Sequence, residues 1–278
     1  MTARSRRAAW LLAVVLACRT GSDPAEPHES AAPLVRRALA DTSFAWRSTA
    51  TTHFHLHWPA RSHTNADPTR AARELETRRA EVLGRLAEPD DALGRIEVFF
   101  VETPEQMTRL VGRPTGGWTD APANAVLLRH APEGEPPYRH ELGHFYSHRL
   151  WGPPFSDFAS EGVAVFAVGG CAGRGLHAWA ALLEHEGMLP PLDSLERSFD
   201  FTKAAPHLQA GSFVEYLAET HGLDAVRTLW REGLAATGRA TGGDAAALEA
   251  GWRRHVARPG FQPPAGDRPS VTGRIRCE

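Results

Sequence analysis

The sequence predicts an α+β fold, in which strands concentrate in the first half of the chain and helices in the second. Apolar segments with the length and composition of strands lie between residues 51 and 129, whereas the segments beyond residue 136 have helical spacing. The chain has 278 residues, of which 42% are hydrophobic, so it can build one sizeable core in two lobes. We therefore expect a small mixed β-sheet in an N-terminal lobe and a mostly helical C-terminal lobe.

The N-terminus has the features of a secretory signal peptide. Three arginines precede an apolar run over residues 8–17, which is shorter than the ~20 residues that span a bilayer. The run ends in VLAC and resembles a bacterial lipoprotein lipobox, which implies a signal peptide over residues 1–18 and lipidation of Cys18. An ordinary secretory signal with a buried cysteine is the alternative. Both interpretations predict an extracytoplasmic protein, and the first predicts a lipid anchor in the membrane of the bacterial cell envelope.

The composition of the remaining residues indicates a folded domain between a tether and a tail. Residues 19–40 are rich in Pro, Ala, Ser and charged residues, which is typical of a flexible tether, and residues 258–278 form a Pro/Gly-rich tail. The folded domain is expected between them, over residues 41–257. The net charge of −2 and the lack of a long basic stretch do not indicate nucleic-acid binding, and no feature indicates oligomerisation. Outside the cytoplasm Cys171 and Cys277 could pair or remain free thiols.

Alternation and apolar runs predict the strands. The segment TTHFHLHW, residues 51–58, alternates strictly and places its three histidines on one face. We interpret this as a solvated face above an apolar one, rather than as a metal site. IEVFFV at 96–101 predicts a buried strand, and AVLLR at 125–129 predicts a further strand at the edge of the sheet. Residues 116–117 are expected to form a flexible turn ahead of Trp118.

Helical spacing predicts the remaining elements. An amphipathic helix is expected over residues 67–88, and a short one from Pro104 to Val111. Two prolines at 136–137 and the Gly-Pro-Pro at 152–154 bound a helix of about four turns. Further helices are predicted over residues 157–168, 176–186 and 208–221, and around residues 223–234 and 248–256.

The pentad HELGH lies on the four-turn helix. His140 and His144 share one helix face, so their ring nitrogens can bind one metal ion, while Glu141 can reach a ligand-bound water. We expect the third ligand on the next helix, where Glu161 is a lone carboxylate in the apolar segment FASEGVAVF. Such a carboxylate is costly unless it is paired or metal-bound. The alternative is a helix pair joined by a structural salt bridge.

The spacing of these residues resembles a known family. HELGH, followed after the sixteen residues 145–160 by the glutamate of SEGVA, resembles the gluzincin zinc metallopeptidases, in particular the bacterial peptidase-MA-like group. The segment AGSFVEYL is similar to a later helix of that group. The resemblance implies a zincin-like fold, Zn²⁺ bound by His140, His144 and Glu161, and Glu141 as the general base.

The resemblance also implies a group that stabilises the oxyanion of the reaction. The family often has a tyrosine just before AGSF, where this chain has His207, and Tyr216 is the second choice. Three protein ligands leave a position for a water whose pKa zinc lowers to about 7, and Glu141 can take its proton. We therefore predict a zinc metallopeptidase acting on peptides or proteins. The alternatives are a catalytically idle binding protein with this fold, or a zinc hydrolase of a non-peptide amide or ester.

Overall fold

The computed structural model describes residues 32–89, 93–132 and 134–262, and these form an α+β fold with a small mixed sheet. The strands are β1 (Trp46–Ala50), β2 (Phe54–Pro59), β3 (Ile96–Val101), β4 (Gly117–Asp120) and β5 (Ala125–Arg129). The helices that alternate with them are α1 (Pro33–Ala40), α2 (Pro68–Leu86) and α3 (Pro104–Val111). The helices that follow the strands are α4 (Tyr138–Trp151), α5 (Asp157–Val168), α6 (Leu176–His185), α7 (Leu192–Arg197), α8 (Ala204–His221), α9 (Leu223–Ala240) and α10 (Ala245–Val256).

The five strands form one sheet in the order β1-β2-β3-β5-β4. The three central strands run parallel to one another, and β1 and β4 pair antiparallel at the two edges. The prediction that residues 125–129 form an edge strand is therefore wrong, because β4 pairs with their outer side. Gly117, which the sequence assigns to a turn, begins β4. A strand of four residues is too short for its alternation to stand out in the sequence.

Both faces of the sheet are covered. One face contributes residues such as Leu56 and Val98 to the main core. The other face, with Phe99 and Leu127, packs against α1 and α3. His57 lies on this second side, where it is only 3% exposed and its ring stacks on Phe99 at a centroid distance of 4.7 Å. The predicted solvated histidine face is thus wrong for His57, because that side of the sheet is also packed.

Helix α1 occupies the end of the segment that the sequence assigns to the tether. Its apolar stripe is buried against α3, and it consists of Leu34, Val35 and Ala38. The guanidinium of Arg37 donates a hydrogen bond to the carbonyl of Leu110 at 3.0 Å. Residues 33–40 therefore belong to the folded domain, because they bury apolar surface that a flexible tether would leave in water.

Helices α4, α5 and α8 form the centre of the helical half, with α5 between the other two. The approach of α5 to α4 depends on Gly143. A Cβ atom at this position would lie 3.0 Å from the Cβ of Ala167 and 3.1 Å from the Cα of Ala164. Glycine inside a helix costs ~1 kcal/mol relative to alanine, and at this position the missing side chain lets α5 pack close to α4. The two helices that carry the HELGH pentad and Glu161 are consequently held in direct backbone contact.

Several sequence predictions fall outside the described residues. These are the signal peptide with Cys18, the tether up to residue 31, and residues 263–278 of the tail with Cys277. Cys171 is 2% exposed and disulfide-bonded. Among the helices that the structure describes, none combines the length and apolar character needed to cross a membrane.

Candidate metal centre and active site

His140 and His144 on α4 and Glu161 on α5 converge where the two helices touch. The Nε2 atoms of the two histidines lie 3.1 Å apart. Nε2 of His140 is 3.3 Å from Oε2 of Glu161, and Nε2 of His144 is 3.5 Å from Oε1 of the same carboxylate. The structure thus brings together the three residues that the sequence suggests as metal ligands.

The three separations fit the coordination sphere of one small cation. Ligand atoms bound tetrahedrally at ~2.05 Å from an ion lie ~3.3 Å from one another. The observed values of 3.1, 3.3 and 3.5 Å bracket that length. The three side chains are between 12% and 21% exposed to solvent, which leaves one side of the group open for a further ligand. This group could therefore hold a metal ion.

The electrostatics of the group favour an ionised carboxylate between two imidazoles. Burial by itself would raise the pKa of Glu161, but the proximity of His144 and hydrogen bonds with His140 and His144 hold it well below its usual range. Oγ of Ser160 lies 3.1 Å from Nδ1 of His144, within hydrogen-bond distance. This contact orients the ring so that Nε2 faces the other two ligand atoms, as is common for metal-bound histidines.

Glu141 lies beside this group and is held by the sheet. The residue is 6% exposed, and one of its carboxylate oxygens accepts a hydrogen bond from the Thr119 hydroxyl at 2.8 Å. Burial raises the pKa of Glu141, while the nearby His140 and His144 and the hydrogen bond from Thr119 lower it. The effect of burial is the larger, so the pKa of Glu141 lies above its usual value.

Strand β4 touches the other oxygen of the same carboxylate at Gly117. A Cβ atom at Gly117 would lie 2.2 Å from Oε1 of Glu141, so any other residue would displace the carboxylate. Sequence reasoning missed the contribution of Gly117 and Thr119 to the site. No local signal identifies them, because they reach Glu141 only through the packing of β4 on α4.

His207, at the start of α8, also reaches the group. Its Nε2 lies 3.5 Å from Oε2 of Glu161, and its ring packs edge-on against Phe199. Nδ1 of His207 donates a hydrogen bond to the carbonyl of Lys203 at 2.8 Å, because a carbonyl can only accept. Burial lowers the pKa of His207, and the charge of Glu161 opposes that change. When protonated, the ring can donate a second hydrogen bond from Nε2 toward the site.

The structure does not bring Tyr216 to this group. Tyr216 follows His207 by nine residues on the same helix, a distance of ~13.5 Å along the axis. Its ring packs against His221 and His255, and its hydroxyl lies where a Cβ atom at Gly251 would be only 2.5 Å away. Of the two residues suggested as oxyanion stabilisers, the structure thus brings only His207 to the group formed by His140, His144 and Glu161.

Comparison with known proteins adds no family assignment. No protein-family model matches the chain, and no curated protein is similar to it in sequence at a significant level. The chemistry of the site is thus inferred from its own residues and their geometry.

Proposed function

We propose that the protein is a gluzincin-type zinc metallopeptidase with a zincin-like fold. The observation that carries this proposal is that the two carboxylates of the site occupy different positions. Glu161 faces the two histidines at ligand distance, while Glu141 is buried against Thr119 and is not part of the ligand group. Hydrolysis by an activated water needs both a metal held by protein ligands and a separate base beside it.

The donor set supports zinc. Two imidazoles and one carboxylate are ligands that zinc accepts in a tetrahedral arrangement, and catalytic zinc sites keep a fourth position for water. When bound, zinc would act as a Lewis acid and lower the pKa of a water to about 7. His140, His144 and Glu161 would hold the ion, and Ser160 would maintain the orientation of His144.

The side chains around the ligands can carry out the proton transfers and charge stabilisation of peptide hydrolysis. Glu141 takes a proton from the attacking water at a carboxylate oxygen and later returns it to the leaving amine. Protonated His207 donates a hydrogen bond from Nε2 to the carbonyl oxygen as negative charge develops on it. The position of each group beside the ligand atoms supports the role proposed for it.

The position of β4 favours a peptide as the substrate. Among the described strands β4 ends the sheet, so one side of its backbone has no strand partner. This strand also carries Gly117 and Thr119, which contact the proposed base. An extended peptide that pairs with β4 would therefore run beside Glu141, and such pairing suits peptides of varied sequence.

We also propose that the enzyme acts outside the cytoplasm, anchored to the cell envelope by a lipid on Cys18. The support is the apolar run over residues 8–17 and the lipobox-like VLAC that follows it. Metabolic labelling with a radioactive fatty acid would test this in cells that express the chain. Labelled wild-type protein and unlabelled Cys18→Ser protein are expected, whereas equal labelling of the two would contradict the lipid anchor.

The decisive experiment combines metal content with peptide cleavage. The full-length chain is purified without chelator, and metal is quantified by mass spectrometry while cleavage is followed on a peptide library. Glu141→Gln should keep the metal content of the wild type and lose cleavage by ~10²-fold or more, because general-base catalysis contributes 10²–10⁴-fold. Glu232→Gln, an exposed glutamate on α9, is the matched control and should leave both unchanged.

The other outcomes discriminate between the alternatives. Glu161→Gln should lose one metal equivalent and cleavage together. Metal at this site without cleavage by the wild type would overturn the peptidase proposal and favour an idle binding protein or a hydrolase of non-peptide amides or esters. If Glu161→Gln held as much metal as the wild type, that result would overturn the metal centre itself.

A further inference from the structure

A second group of histidines and carboxylates joins three helices away from the candidate active site. His177 is on α6, Glu215 and Glu219 are on α8, and His255 is on α10. Nε2 of His177 lies 3.3 Å from Oε2 of Glu219 and 3.7 Å from Oε2 of Glu215. Nε2 of His255 is 3.5 Å from the same oxygen of Glu219. Glu219 follows His207 by twelve residues, so the two groups are ~18 Å apart along α8.

Nε2 of His255 lacks a hydrogen bond. The residue is only 8% exposed, and Nε2 makes no hydrogen bond with any residue that the structure describes. It faces Oε2 of Glu219 instead. A buried polar atom without a partner is costly, and native proteins rarely retain one unless another group satisfies it. A bound cation would satisfy this nitrogen and would bridge it to the carboxylate.

The other ring nitrogen of His177 has the kind of partner that metal-bound histidines have. Nδ1 lies 2.9 Å from Oγ of Ser212, which also accepts a hydrogen bond from the indole of Trp252 at 3.1 Å. If Nδ1 donates to Ser212, the lone pair on Nε2 faces the carboxylates, and a cation between them removes the repulsion. With the opposite tautomer Nε2 would donate to Glu219, and the group would be a hydrogen-bonded cluster. A metal measurement separates the two arrangements.

The distances distinguish this group from the histidines on the sheet. The separations of 3.3 and 3.5 Å match the ~3.3 Å expected between ligands of one tetrahedral ion. In the group formed by His55, His57 and Glu97, by contrast, Nε2 of His57 is 2.6 Å from the carboxylate. That distance is a short hydrogen bond, so a cation there would have to displace a satisfied contact.

The surrounding charges indicate which kind of cation would bind. Arg85 pairs with Glu215 at 3.2 Å, and Arg258 lies close to both histidines, so the surroundings are not strongly negative. Calcium and magnesium depend on clusters of oxygen ligands, whereas imidazole nitrogens favour zinc and neighbouring transition metals. The ring of Phe261 covers both histidines at centroid distances of 5.0 and 5.3 Å. The donor set therefore favours a transition metal over calcium or magnesium.

We propose that His177, Glu219 and His255 bind a divalent transition metal of the zinc type. The three ligands come from three different helices, so we infer a structural role for the ion. The ion connects α6, α8 and α10, and its binding energy stabilises the packing of these helices because the unfolded chain cannot assemble the site. The proposal is independent of the proposed peptidase function.

Metal content of matched variants tests this proposal. Glu219→Gln is the main variant, because its side chain is 51% exposed and its replacement leaves the core intact. After dialysis against a weak chelator, we expect two metal equivalents in the wild type and in Glu232→Gln, one each in Glu219→Gln and Glu161→Gln, and none in the double variant. His255→Gln serves as a second variant of the structural site and should also hold one equivalent.

A stability measurement separates loss of metal from loss of fold. In the Glu161→Gln background, a strong chelator should lower the melting temperature, and the additional change Glu219→Gln should abolish that response. The second site would be overturned if the wild type held a single metal equivalent that was lost in Glu161→Gln and kept in Glu219→Gln. The reverse pattern would support the second site and overturn the catalytic metal centre, so the two proposals fail independently.

Discussion

The hydroxyl oxygen of Thr119 lies 2.8 Å from a carboxylate oxygen of Glu141 and 2.9 Å from the backbone carbonyl oxygen of the same residue. A hydroxyl has one proton to donate and two lone pairs that accept. When Glu141 is ionised, Thr119 can donate to the carboxylate. When Glu141 is protonated, Thr119 can accept from it and donate to the carbonyl. Thr119 can therefore hold Glu141 in one orientation in both protonation states.

Replacing Thr119 by valine should impair the proposed base without removing it. We expect kcat/KM to fall by ~10-fold, since a hydrogen bond to a charged group contributes about 1.5–3 kcal/mol and part of this is regained from water. The hydrogen bond lowers the pKa of Glu141, so its loss raises that pKa, and the acidic limb of the profile of kcat/KM against pH moves to higher pH. Thr119→Ser retains the hydroxyl and should keep the wild-type profile. An unshifted acidic limb in Thr119→Val would contradict this role.

Two adjacent glycines give a matched test of the contact between β4 and Glu141. A Cβ atom at Gly117 would lie 2.2 Å from Oε1 of Glu141, whereas one at Gly116 would have nothing within 4 Å. Gly117→Ala should displace the carboxylate and reduce kcat by at least ~10²-fold, as small misplacements of catalytic groups do. Gly116→Ala should be close to wild type. Equal activity of the two variants, measured at equal metal content, would show that Glu141 tolerates the displacement.

His207 should contribute to turnover and not to metal binding. His207→Ala is expected to lower kcat by ~10²–10³-fold, the range seen when a donor to the oxyanion is removed, with metal content and KM little changed. His185→Ala, at an exposed histidine of α6, is the control. Burial lowers the pKa of His207, and the donor is its protonated form, so the wild type should lose activity on the basic side. That basic limb should be absent from the residual activity of His207→Ala. Loss of metal in His207→Ala would instead indicate a ligand role.

Helix α1 provides a test of where the folded domain begins. Leu34 is 8% exposed and packs against α3, whereas Leu39 on the same helix is 37% exposed. Leu34→Ala should reduce the free energy of unfolding by about 2 kcal/mol, the low end for a buried leucine, because part of its surface is already accessible. Leu39→Ala should change it by less than ~0.5 kcal/mol. Urea denaturation of the two variants would show this difference, and equal midpoints would restore the tether interpretation.

Local sequence signals were sufficient for most elements. The strands at residues 96–101 and 125–129 and the helix at residues 157–168 have the predicted bounds, because apolar runs and helix caps are encoded by neighbouring residues. The short strand β4 and helix α1 were missed. The strand β4 pairs with the neighbouring β5 and is too short to show alternation. Helix α1 has an initial proline and an apolar stripe, but it lies in a segment whose composition is typical of a tether, and only the structure shows that the distant α3 buries this stripe.

The sequence by itself determined the pairing of His140 with His144, because residues four apart on a helix share a face. It also indicated Glu161, since a lone carboxylate in an apolar helix needs a partner. Tertiary structure alone decided that β4 supplies Gly117 and Thr119 to Glu141, that Tyr216 lies away from the site, and that α6, α8 and α10 bring together a second group of histidines and carboxylates. These relationships join residues far apart in the chain, so they depend on how helices and strands pack and leave no signal in local spacing.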